Sequence, residues 1–241
     1  MNANIKLSKL ITHSASFTGA DGRQVNILII PIKLNNLEHI SENKVNLHFV
    51  CFERTSESFG NDTHILKQAF TDEQLKTITK DRAENAPILG NLIDWEKHKD
   101  QKLPKTVVSG HINLRSLESI IRPYRMKNGQ LTDCIVIDKS KNFAYNHDDG
   151  SLSIGLVFWK IKNPKAETTH TIKLSAPKEI REAMDADELN LIPFLGSAVR
   201  KQLTTHANND ANLAAAAAIN TESFDQLNDF YPQDMSDDLP F

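Results

Sequence analysis

The 241 residues contain only two cysteines, Cys51 and Cys134. Two thiols cannot build a disulfide framework, and neither has metal-ligand spacing. Both lie in apolar stretches, where a thiol serves as a small buried hydrophobe. Long apolar runs are also missing. The longest, ILIIPI at residues 27–32, falls far short of the ~20 residues a membrane helix needs. The first ten residues, MNANIKLSKL, lack the apolar block of a signal peptide, so the expectation is a cytoplasmic protein with no membrane partner. There is no Walker loop, no glycine-rich dinucleotide turn and no serine nucleophile elbow. The expectation is therefore a protein that is not an enzyme, with no catalytic residue, cofactor or metal.

One absence is regional. Residues 211–241 hold no lysine or arginine but six acids: Glu222, Asp225, Asp229, Asp234, Asp237 and Asp238. Of the 31 acids in the chain, 25 remain elsewhere against 28 bases. A mildly basic body can hold a polyanion, and an acidic tail can bind a basic partner. With 24% charged and 39% apolar residues, the composition is that of a globular protein. The length allows one large or two small domains.

A pattern occurs twice. THILKQAF, beginning at Thr63, aligns with THTIKLSA, beginning at Thr169, at an offset of 106. The match continues without a gap through Glu73/Glu179, Asp81/Asp187, Pro87/Pro193, Leu89/Leu195 and Gly90/Gly196. Upstream the offset is 107. Ile5, Leu7 and Leu10 fall on Ile112, Leu114 and Leu117, and Asp21-Gly22 falls on Asn128-Gly129. We read an internal duplication of a unit of roughly a hundred residues.

Each unit begins β-rich. Asp21-Gly22 and Asn128-Gly129 tolerate positive φ and mark short hairpins, so residues 5–17 should pair with 24–33. Residues 45–53 alternate as a third strand. Thr71 with Gln74 forms a capping-box pattern, and Pro177 suits the first turn of the counterpart helix. The predicted class is mainly β with some α: two tandem OB-fold-like β-barrels followed by a disordered acidic C-terminal tail. The domains fall at 1–95, 108–203 and 204–241, with a linker at 96–107. A different small barrel or a sandwich is the structural alternative.

Strand alternation sorts the third strand. Val45, Leu47, Phe49 and Cys51 share one face, as do Leu152, Ile154, Leu156 and Phe158; this is the predicted core. The opposite faces end in Phe52 and Trp159, while Phe17 and Tyr124 are matched just before the hairpins. Exposed aromatics can stack on bases without reading sequence, at ~1–3 kcal/mol per base. Nearby cations can hold phosphates: Arg23, Lys33 and Lys67 in one unit, and Arg122, Arg125, Lys127, Lys139 and Lys173 in the other. The alternative is that these aromatics pack and these lysines are solvated. His147-Asp148-Asp149-Gly150 is the one candidate metal cluster. The corresponding loop of the first unit lacks those groups, and a solvated hairpin loop is the expectation.

After about residue 201 the chain has little to bury and reads as a linker ending in a short recognition motif. The ring of Phe241 can fill an apolar pocket while its α-carboxylate meets a cation. Pro240 limits the freedom lost on binding, and Leu239 adds apolar contact. Asp237 and Asp238 suit a basic rim. This Asp-Asp-Leu-Pro-Phe end resembles that of the bacterial and phage single-stranded DNA-binding proteins. The resemblance covers only the last residues. It implies an OB-fold core that coats single-stranded DNA, and a tail that recruits replication, recombination and repair proteins. Two units and an Ala/Asn-containing linker depart from the common one-domain bacterial chain and look more like a phage or plasmid variant. The expectation is sequence-nonspecific binding of single-stranded DNA, with homo-oligomerisation left open. The alternatives are an OB-fold interaction scaffold of a replication complex and a nuclease using His147, Asp148 and Asp149.

Overall fold

The computed structural model describes residues 1–18, 22–54, 61–126, 129–148, 151–164 and 167–203. The first half contains β1 (Asn2–Lys6), β2 (His13–Thr18), β3 (Gln24–Pro31), β4 (Glu38–Ser41) and β5 (Lys44–Glu53). It continues with β6 (His64–Gln68), α1 (Asp72–Leu75), α2 (Lys80–Glu84) and β7 (Ile88–Ile93). After α3 (Trp95–Lys99) come β8 (Thr106–Asn113), β9 (Ser119–Arg125), β10 (Leu131–Asp138), β11 (Tyr145–Asn146) and β12 (Leu152–Lys160). The last elements are β13 (His170–Leu174), α4 (Lys178–Ala183), α5 (Ala186–Leu191) and β14 (Phe194–Gln202).

Eight antiparallel strands close a barrel in the order β1, β7, β6, β5, β8, β14, β13, β12 and back to β1. The short strands β4 and β11 lie outside the ring, on β5 and β12. The predicted core positions of β5 and β12 are all buried inside. A second sheet, ordered β2, β3, β10, β9, packs Leu28, Ile30, Ile135 and Ile137 against that core. Its other face gathers Ile27, Ile29, Tyr124, Cys134 and Val136 into a separate cluster. Both faces of β3 and β10 are thus covered, which explains their unbroken apolar runs. Among the described residues no helix is long and apolar enough to cross a membrane.

The pairing registers of the two halves correspond. Ile5 opposes Gly90 and Ile154, while Ile112 opposes Gly196 and Leu47. Bulges recur at Leu66/Lys67 and Ile172/Lys173. Gly22 and Gly129 both have φ near +80°, where a glycine meets no steric penalty. A side chain at Gly90 would collide with the Asn4 carbonyl, and one at Gly196 with that of His111.

Three expectations need correction. The two halves do not form separate barrels: β1 pairs with β7 of its own half and β12 of the other, and β8 pairs with β14 and β5. Four strands per half leave open edges, and the other half fills them. The supposed linker is therefore a connection within one barrel; its first turn, α3, is capped by Asp94, and residues 106–107 already belong to β8. Residues 5–17 are not one strand. A 3-10 turn at Leu7–Lys9 buries Leu7 and sends β1 into the barrel and β2 into the second sheet. Each expected helix is two short turns. Thr71 and Gln74 do form the capping box, and Asp185 with Glu188 forms another.

Candidate nucleic-acid interface

The structure divides the predicted contact residues. Trp159 stands on the outer face of β12, 60% exposed. Phe52, its counterpart on β5, is half-buried. Phe17 and Tyr124 pack in the second sheet's own cluster, where burial raises the Tyr124 phenol above its ordinary value. Lys67 is buried and its Nζ donates to the Glu84 carbonyl at 2.7 Å. Lys139 is buried too, donating to Ser14 Oγ at 3.0 Å. Burial pushes the pKa of both lysines down. These buried groups serve the fold. Arg23, Lys33, Arg122 and Arg125 are exposed on the second sheet and its connections, away from the barrel strand that carries Trp159. Lys127 lies outside the described residues, as do Asp237, Asp238, Leu239, Pro240 and Phe241 and the expected disorder of the tail.

Around Trp159 the outer barrel wall forms a continuous surface. One row crosses five strands: Phe194 opposes Lys173, Lys173 opposes Val157, Val157 opposes Asn2, and Asn2 opposes Ile93. The next row runs Gly155, Asn4, Asn91. At Gly155 the Ser175 side chain occupies the space a Cβ would take. A cleft of about 500 Å³ follows over β1 and β7, lined by Asn2, Asn4, Lys6, Lys9, Asn91 and Ile93 among others. Phe194 is 61% exposed, and the Lys173 ammonium sits 4.7 Å from its ring centroid. Lys173 also donates to the Leu189 carbonyl at 3.3 Å, which fixes the cation beside the ring. Lys160, exposed, ends the strand that carries Trp159.

The corresponding wall of the other half differs. In place of Gly155 and Asn4 it has His48 and His111, whose rings lie 5.6 Å apart. Glu38 bonds the His48 ring at 2.8 Å, and this contact holds its carboxyl below the ordinary range. Burial, then the neighbouring His48, lowers His111. Among the described residues no three His, Cys, Asp or Glu side chains are placed to hold a metal ion. His147 bonds Ser153 Oγ at 2.7 Å and meets the Tyr145 ring edge-on; Asp149 and Gly150 lie outside the described residues.

The matched histidines are internal. His64 Nδ1 lies 2.8 Å from Thr63 Oγ1, whose hydroxyl reaches the Leu92 carbonyl at 3.2 Å. His170, Thr169 and the Ala198 carbonyl repeat the arrangement. Burial, then the N-terminal ammonium, pushes His170 down to about 4. These rings have a structural part at the end of the barrel where β6 and β13 begin.

Phe194 and the three asparagines were missed by the sequence reading, although Phe194, Asn2 and Asn4 left a sign there. Phe194 is the variable position of a Pro-x-Leu-Gly that occurs twice, and it aligns with Ile88. Asn2 and Asn4 alternate with buried Ala3 and Ile5 in a strand pattern that begins earlier than expected. The chain matches no family model, no curated protein and no solved structure.

Proposed function

We propose that this chain binds single-stranded DNA on the outer barrel wall around Trp159 and recruits other proteins through its C-terminal acids and Phe241. The observation that carries the reading is an indole held 60% exposed on a barrel strand, with a second open ring, Phe194, and its lysine two strands away in the same sheet. Large rings presented this way create an exposed apolar surface, and stacking on bases puts it to use. Lys173, Lys6 and Lys9 supply charge for phosphates. Two halves with matching registers fit the duplication of one OB-like unit whose copies now complete each other's barrel. The Asp-Asp-Leu-Pro-Phe end supports membership of the single-stranded DNA-binding proteins of bacteria and phages, with replication, recombination and repair proteins as tail partners.

Titration with oligo-dT tests this. Trp159 fluorescence should be quenched, and the affinity should fall as salt rises because released counterions drive binding. A Trp159→Ala chain should bind about tenfold more weakly, the loss of one stacked base. The alternative, a protein-interaction scaffold, draws on Leu191, 81% exposed near Phe194. Unchanged fluorescence and no salt-dependent binding would leave the scaffold reading in its place.

A further inference from the structure

Three carboxamides, Asn2, Asn4 and Asn91, line the cleft on the wall that carries Trp159. Asn4 directly opposes Asn91, and Asn2 precedes Asn4 on the same face of β1. Among the described residues none of the three side chains has a hydrogen-bond partner. The fold does not require amides there. The corresponding positions of the other half, with matching registers, hold Ser109, His111 and Ser197. The amides are therefore spare donors and acceptors, aligned in a cleft and open to a ligand. The cleft's one acid, Asp62, pairs with Arg54 at 3.7 Å, whereas Lys6 and Lys9 lie at the cleft with cationic ends suited to a phosphate. At about 500 Å³ the cleft lies within the size range of small-molecule sites.

Resting on the reading of this wall as a strand-binding surface, we infer that the cleft takes one unstacked base and that Asn4 and Asn91 read its edge, favouring adenine. A carboxamide places a donor beside an acceptor, and adenine presents the complementary pair at N6 and N7. A single-stranded base is free to turn that edge toward the protein. Stacking on Trp159 accepts every base, so the amides add a preference to binding that is otherwise indifferent to sequence.

The test compares oligo-dA with oligo-dT of one length, in the full chain and in an Asn4→His/Asn91→Ser chain. These substitutions are the residues of the other half, so the barrel accommodates them; an unchanged unfolding midpoint checks this. The readout is the ratio of the two affinities, because the stacking that oligo-dA gives up in solution is the same for both proteins. The ratio should shift about tenfold toward oligo-dT in the variant, the discrimination of one bidentate pair. Salt-dependent binding with an unchanged ratio overturns the base-reading cleft and leaves the strand-binding wall standing. Binding of neither oligonucleotide by the native chain overturns both.

Discussion

Asn35 and Asn142 hold two loops in the same way. Asn35 Nδ2 donates to the Ile11 and Pro31 carbonyls, and its Oδ1 accepts from the Ile11 amide. Asn142 does the same with Glu118 and Asp138. Both side chains are buried, so their partners have no water to turn to. Asn142→Ala should cost about 1–3 kcal/mol, read as a lower urea midpoint, because it strands buried backbone groups. Recurrence between the halves marks such positions but does not say whether they serve the fold or a ligand. Lys67 and Lys173 recur because each reaches a carbonyl at the end of a short helix. Only burial separates them: Lys67 is enclosed, while Lys173 places its ammonium beside the open Phe194 ring. A side chain's exposure depends on its neighbours across strands, which a linear pattern does not name.

At the scale of elements, β6 and β13 each start on a threonine–histidine pair that titrates with the fold. His64 and His170 are held neutral by burial, His170 down to about 4 from an ordinary 6.5. Between those values the unfolded chain takes up protons that the folded chain refuses. Stability is therefore full above pH 6.5 and is lost as pH falls toward about 4. The thermal midpoint should fall by several degrees between neutral pH and pH 5, less so in a His64→Gln/His170→Gln chain. Elements were the most legible level of this molecule. Alternation gave the buried faces of β5 and β12, Thr71 and Gln74 gave a helix start, and Gly22 and Gly129 gave the hairpin turns. The division of residues 5–17 was not legible. Leu7 and Leu10 suit a strand and a 3-10 turn alike, and the choice is made by the second sheet, which takes β2 away from β1.

The whole molecule depends on two seams. The β1–β12 seam aligns five residue pairs and the β5–β8 seam seven, and each joins one half to the other. A repeat in sequence implies two units, yet it does not say whether each unit closes on itself. Here each half supplies four strands with exposed edges, and closure removes all of those edges at once. The main core likewise draws on both halves, with Phe49 and Phe158 meeting edge to face at 6.0 Å. Cutting the chain between Asp100 and Gln101, in the connection from α3 to β8, tests this dependence. Neither fragment alone should show cooperative unfolding as a monomer, because it lacks both seams and half its core. Mixed fragments should restore the β-sheet circular dichroism and sediment as a one-to-one pair. A fragment that is folded and monomeric by itself would show that a half can close its own sheet, and the shared barrel would then not be what holds the protein together.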